Sequence, residues 1–386
     1  MTRFPFPFLS RRLMIVGVGL FAALMCGLLT PVLSPAQQAA QPSQVAVFEQ
    51  VWQTINDKFF DPKFNGADWQ AVRQTYRPQV EQAQTPAAAA SVINQMLGEL
   101  KASHTHFYTA DQPAYYQILG IFQPGSPTLQ RQLKKFFPNG KLEYSGIGIF
   151  TKETNNQTFI SAILDGSPAA EAGLLVGDQI LSVEGQPFQP VQSFAGKAGQ
   201  SVSIQIQRSA NPNSQQSISV KPKLLEGTTM FVDAMDASIR VIERAGKKIG
   251  YVHIWSYAGD QYQEKLEEEL LYGRLAQADA FVLDLCDGWG GANPTYLNIY
   301  SNRGPSLTTT RRDGRRNTFS SSWKKPVIML VNQGSRSGKE ILAYAFQRYK
   351  IGPVVGTQTA GMVLAGQAFL ISMGQFPAAL QRKMQG

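Results

Sequence analysis

Apolar residues recur along the chain with different periods, and the changes of period divide it. An uncharged apolar run over residues 13–29 follows the basic start set by Arg3, Arg11 and Arg12. From Val45 the residues Val45, Phe48, Val51, Trp52, Ile55 and Phe59 keep helical spacing. Asp61-Pro62 closes that helix, because the residue before a proline is pushed out of the helical region. Asp68-Trp69 opens a second helix, expected to end near Arg77-Pro78. Thr85-Pro86 opens a third, with Thr85 as cap, and sends Val92, Ile93, Met96, Leu97 and Leu100 inward. Residues 112–140 hold several glycines and prolines and read as an irregular connection with one short basic helix near 129–136.

The period then falls to two. Residues 145–150 and 158–164 read as strands, Gly166 to Leu174 as a turn and short helix, and 177–185 as a turn and hairpin. Residues 201–208 alternate as an edge-type strand. After residue 226 strands and helices alternate, which indicates an α/β layer. Residues 248–257 form a strand and 261–275 a charged amphipathic helix, whose Glu267-Glu268-Glu269 run reads as a solvated face. Residues 280–285 form a buried-type strand that runs into the glycine-rich turn Cys286-Asp287-Gly288-Trp289-Gly290-Gly291. Residues 303–316 read as a basic loop, and 326–331 as another buried strand.

The chain has 386 residues, 43% hydrophobic and 16% charged, ample for ordinary cores. Three of the nine excess positive charges lie in the N-terminal segment, and the rest are too scattered for a nucleic-acid surface. Ser34-Pro35-Ala36 offers small residues before Gln37, so residues 1–36 read as a secretory signal. The alternative is an uncleaved anchor, which would tie the protein to a membrane. Cys26 lies in that segment. The mature chain then keeps only Cys286, and its fold must rest on packing without an internal disulfide.

The strand at 326–331 leads through small polar residues into the apolar spacing of Glu340 to Phe346. Such a junction presents Ser337 at a helix N-terminus, where unpaired N–H groups favour negative charge. A serine nucleophile with a backbone oxyanion donor needs this geometry. A helix cap, with Glu340 completing a capping box, needs it equally. The turn at 286–291 can bring N–H groups close to a substrate oxygen. It lacks the Gly-Lys-Ser/Thr ending of a phosphate loop. Two of the three histidines, His104 and His106, fall in Ser103-His104-Thr105-His106. With no cysteine or clear carboxylate partner nearby they do not form a metal site, and imidazole is a ready general base. No metal or other cofactor is expected.

The run Ser167-Pro168-Ala169-Ala170-Glu171-Ala172-Gly173-Leu174, continuing to Gly185, resembles the PDZ domain over nineteen consecutive positions, in its circularly permuted bacterial form. By that resemblance Gly146, Ile147, Gly148 and Ile149 form the carboxylate-binding loop, whose N–H groups hold a peptide C-terminus while the peptide adds a strand. Together with the helical start, Ser103-His104, Ile249-Gly250-Tyr251-Val252, Gly290-Gly291 and residues 332–341, the order of segments resembles a carboxyl-terminal processing (tail-specific) serine peptidase. The resemblance implies an α/β (α+β) architecture with ClpP/crotonase-like strand-helix repeats. It implies a signal over 1–36, helices over 37–142, a PDZ domain over 143–225 and a protease core over 226–386. It further implies Ser337 as nucleophile, with N–H groups of Gly338 and of Gly291 (Gly290 as alternative) at the oxyanion. The substrates would be proteins or peptides with free C-termini, met in the periplasm or outside the cell.

Two departures follow. Where many members carry a lysine base, this chain has Met362, and a thioether cannot accept the serine's proton. Lys339 lies two positions along the helix and points away from Ser337. The tricorn-like branch instead takes its base from a histidine preceded by a serine, which Ser103-His104 matches, with His106 and His253 as weaker candidates. That branch also places an acid after further strands, and residues 375–386 resemble no family strand. The closing strands and their acid are therefore expected to be missing. The competing reading is a catalytically inactive, PDZ-containing peptide-binding protein.

Overall fold

Buried strands set the frame of the C-terminal part. The computed structural model describes residues 43–301, 305–371 and 376–382, so the expected signal over 1–36 lies outside the described residues. The strands Lys247–His253, Ala280–Asp284, Val327–Val331 and Val354–Gly356 run parallel in that order, with Arg240–Arg244 antiparallel at the far edge. Helices Met230–Ser238, Asp260–Leu271 and Gly338–Arg348 cover this sheet. Its core holds Val252, Ile254, Leu266, Leu283, Met329 and Phe346, each at most 1% exposed. Parallel strands of this kind end in turns at their C-terminal edge, where α/β sheets bind ligands. The turns after Asp284 and Val331 both open there.

The N-terminal helices follow the sequence reading closely. They span Gln44–Lys58, Trp69–Gln82 and Pro86–Gly98, with Thr85 capping the third through Ala88 N. The second does not stop near Pro78, as its sequence suggested. It runs one turn further, because Pro78 faces outward and Val80 beyond it is 1% exposed. Residues 112–140 contain two helices, Pro113–Phe122 and Pro127–Leu133, rather than one. Gly120 concealed the first. It has a packing role there, since a Cβ at that position would run into the carbonyl of Gly227.

A second sheet is antiparallel, in the order Ile149–Thr154, Gln157–Ile163, Gln179–Val183, Val202–Gln207 and Gln215–Val220. Val202–Gln207 is thus an inner strand, not an edge: Gln215–Val220 pairs along its outer side. Its alternation has a different cause, with Val202, Ile204 and Ile206 filling the core of this module. Residues 306–320 likewise form a hairpin, Ser306–Thr310 with Arg316–Ser320, where a loop was expected. Phe376–Arg382, in the segment that resembled no strand, pairs between His106–Phe107 and Ala365–Ile371. In the acidic run Glu268 is exposed, as expected, but Glu269 departs from a solvated face. Glu269 is 6% exposed and bonded by Arg274, which holds its carboxyl down at about 2.

Candidate active site

Ser337 stands at the first turn of helix Gly338–Arg348 with φ +58°, a left-handed conformation that non-glycine residues rarely adopt. Neighbouring groups hold it there. Its N–H is shared between Glu340 Oε2 at 2.9 Å and the Met362 carbonyl at 3.0 Å. Glu340 therefore makes the back-bond expected of a capping box. The serine hydroxyl instead donates to the carbonyl of Leu364 at 3.1 Å. The hydroxyl thus lies on the cavity side of the turn.

Glu340 does more than cap. Its carboxylate accepts four hydrogen bonds, from Ser337 N, Met362 N, Gly361 N and Thr359 Oγ1, at 2.7 to 2.9 Å. It ties the segment 359–362 to the serine turn. Asn332 and Ser335 tie the serine turn to the glycine turn. Asn332 Oδ1 accepts from Asp287 N and Gly334 N, and the buried Ser335 hydroxyl donates to the Leu285 carbonyl. Sequence reasoning missed both residues. Their small polar side chains between a buried strand and a helix were the available signal.

The glycine turn lies directly against the serine. A Cβ at Gly290 would stand 2.5 Å from Ser337 Cβ, and one at Gly338 would stand 2.6 Å from Ala292 N. Only glycine permits this approach. Gly291 has φ +79°. The N–H groups of Gly290, Gly291 and Gly338 donate to no protein acceptor among the described residues, which leaves them available to an anionic oxygen.

Lys339 turns away from Ser337, as expected, but inward. It is fully buried and donates from Nζ to the carbonyls of Asp287 and Trp255 at 2.8 and 3.2 Å. Burial pushes its ammonium down to about 7, against the pull of Asp284. It braces the glycine turn from behind.

The histidines separate clearly. Ser103, His104, Tyr108, Gly290, Gly291, Ser337, Gly338 and Met362 line one cavity of about 320 Å³. Ser103 Oγ lies 3.0 Å from His104 Nδ1. Burial and the nearby Arg336 lower the His104 pKa, with Glu340 opposing them, so the imidazole is neutral at pH 7. His106 sits on the strand His106–Phe107 against Tyr108 and is not among the residues lining this cavity. His253 is also elsewhere: it faces Asp165 at 3.3 Å and the Cys286 carbonyl at 2.9 Å. Among the described residues no cluster of metal-ligating side chains occurs.

The expected carboxylate-binding loop lies in the antiparallel module. Gly146, Ile147, Gly148 and Ile149 line a second cavity of about 340 Å³, together with Phe188, Phe194, Trp289 and Arg336. Trp289 and Arg336 line both cavities. Their sequence positions, beside Gly290 and Ser337, were the only hint of that double role.

Comparison with known proteins matches three segments of the chain. Residues 45–98 match the tricorn protease C1 domain, 159–208 the PDZ domain and 248–378 peptidase family S41. A carboxyl-terminal-processing protease of Synechocystis sp. is 28% identical over 346 residues, spanning 84% of this chain and 73% of its own. A chloroplastic C-terminal processing peptidase of Tetradesmus obliquus is 24% identical, spanning 91% of this chain and 75% of its own. The solved photosystem II D1 C-terminal processing protease superposes with a TM-score of 0.51 at 19% identity, covering 88% of this chain and 87% of that one, and shares the α/β fold. One chain thus carries, in order, a segment similar to the tricorn C1 domain, a PDZ domain and a segment similar to peptidase family S41, the combination of a carboxyl-terminal-processing protease-like protein.

Proposed function

We propose that the protein is an exported serine endopeptidase that recruits substrates by their C-termini through the PDZ domain. The observation that carries the reading is the single cavity shared by Ser337, His104 and the free N–H groups of the glycine turn. In the reaction, Ser337 Oγ leaves the Leu364 carbonyl and attacks the scissile carbonyl carbon. His104 takes the hydroxyl proton and returns it to the leaving amine as the C–N bond breaks. Water then hydrolyses the acyl-enzyme by the reverse proton path. Ser103 accepts from Nδ1–H of His104 and so leaves Nε2 free for Ser337. The N–H groups of Gly338 and Gly291, or Gly290, hold the oxyanion.

Met362 lines the same cavity and supplies no base, so proton transfer falls to His104. Export rests on the basic start and apolar run of residues 1–36. No described helix is long and apolar enough to cross a membrane. Comparing wild type with Ser337→Ala on an unstructured protein substrate tests the reading. Equal cleavage by both would remove Ser337 as nucleophile.

A second reading is a peptide-binding protein without turnover. It is favoured by Met362 and by the engagement of the Ser337 hydroxyl with Leu364 O at 3.1 Å. Covalent labelling of Ser337 by a fluorophosphonate counts against it. Absence of labelling in folded protein counts against the first reading.

A further inference from the structure

The PDZ groove and the reactive cavity share a wall. The groove is lined by Ile147, Gly148, Phe188 and Phe194 on one side and by Trp289 and Arg336 of the core on the other. Arg336 immediately precedes Ser337 and lines the reactive cavity as well. Among the residues lining the groove it is the one with a formal charge, and no carboxylate pairs with it among the described residues. Its guanidinium lies 5.3 Å from the centre of the Trp289 ring, and Trp289 is fixed in turn by Gln117 Oε1 at 2.9 Å. An arginine in a largely apolar groove, stacked but without an anion, is arranged to receive one.

We propose that Arg336 is a receptor for the C-terminal carboxylate of a peptide seated in this groove, making the peptide site a composite of the PDZ domain and the nucleophile turn. This rests on the peptide-binding part of the reading above. The aromatic walls take the terminal side chain, the loop N–H groups of Ile147 and Gly148 take one carboxylate oxygen, and the guanidinium takes the other. A PDZ domain acting alone recognises the carboxylate through its own backbone. Here the core supplies the counter-charge one residue from the nucleophile. The consequence is a link between binding and chemistry. The same guanidinium holds the His104 pKa down, so a bound carboxylate that neutralises it leaves His104 the stronger base.

The test reads binding without turnover, in full-length protein carrying Ser337→Ala. Fluorescein-labelled ten-residue unstructured peptides with an apolar last residue are compared as the free acid and the C-terminal amide by anisotropy. The free acid is expected to bind at least about tenfold tighter. Adding Arg336→Gln should bring the two within about twofold, with affinity for the amide unchanged. Circular dichroism and urea unfolding establish that the variants fold. If the glutamine variant does not fold, Arg336→Lys replaces it and should cut the preference at least about threefold, because an ammonium cannot make the forked pair. An undiminished free-acid preference in either variant overturns the proposal. So does wild-type binding without such preference, or no binding of either peptide. These outcomes are independent of whether Ser337 is the nucleophile, which cleavage and fluorophosphonate labelling decide.

Discussion

The N–H of Ser337 donates to the carbonyl of Met362 at 3.0 Å. Met362, which stands where the resembled family carries a lysine, is therefore one hydrogen bond from the proposed nucleophile and lines the same cavity. Met362→Lys in a His104→Ala background is thus expected to recover turnover by about tenfold or more over His104→Ala alone. Initial rates on an unstructured substrate check this. No recovery, in a folded double variant, would mean that position 362 does not serve the hydroxyl.

In the proposed mechanism His104 sets the acid side of the pH profile. The base must be neutral to accept a proton, and burial with the neighbouring Arg336 lowers its pKa from 6.5. Activity should hold as pH falls to 6.5 and drop only below it. A kcat/KM profile whose acid limb lies above 6.5 contradicts this assignment. Arg336→Gln should move the limb upward, since it removes a positive neighbour. His104→Ala itself is expected to lower kcat by roughly 10³-fold.

Much of this layout is legible in the sequence. Ser337, His104, the glycine turn and the PDZ run each carry local signals: a cap-like junction, a rare residue type, a glycine cluster and a long motif. What escaped depended on long-range packing. Gly120 looked like a helix breaker because the Gly227 carbonyl it touches lies far away in sequence. Glu269 looked solvated because Arg274 and Lys265 meet it only when the helix turns onto the sheet. Val202–Gln207 looked like an edge because alternation reports one buried face and does not count neighbours. Arg336 carried no signal of its own, because the PDZ residues with which it lines a groove lie far away in sequence.

Gly290 tests the close approach of the two turns. A Cβ there meets Ser337 Cβ at 2.5 Å and the Arg336 carbonyl at 2.7 Å, so one turn must move. Gly290→Ala is expected to lower kcat by about 10²-fold or more, the usual cost of a lost oxyanion donor. The fold should survive, because the change lies at the surface of a cavity. Near-wild-type kcat would place the oxyanion site elsewhere.

Glu340 is a structural prediction of a different kind. Its two oxygens face four donors and no acceptor. Glutamine keeps the shape but turns one oxygen into an NH₂, which then confronts N–H or O–H donors. Glu340→Gln should destabilise the protein by about 2–4 kcal/mol and loosen residues 359–362. Chemical denaturation gives the first quantity, and amide exchange at Gly361 and Met362 the second. Unchanged exchange at both would show that the carboxylate is not what holds that segment.

Lys339 gives a stability that depends on pH. Its ammonium titrates at about 7 in the folded protein and at 10.5 in the reference state. Between those values the unfolded chain carries a proton that the folded chain does not. Stability therefore rises with pH across that window, by up to about 1.4 kcal/mol per pH unit from this group. Lys339→Met removes the proton and so the slope, although it leaves the Asp287 carbonyl without its donor. Urea unfolding of both proteins at pH 7 and pH 9.5 should show wild type gaining stability relative to the variant by roughly 2–3 kcal/mol. Parallel changes in the two proteins would mean that Lys339 stays charged in its buried site. The brace behind the glycine turn would then be an ammonium rather than an amine.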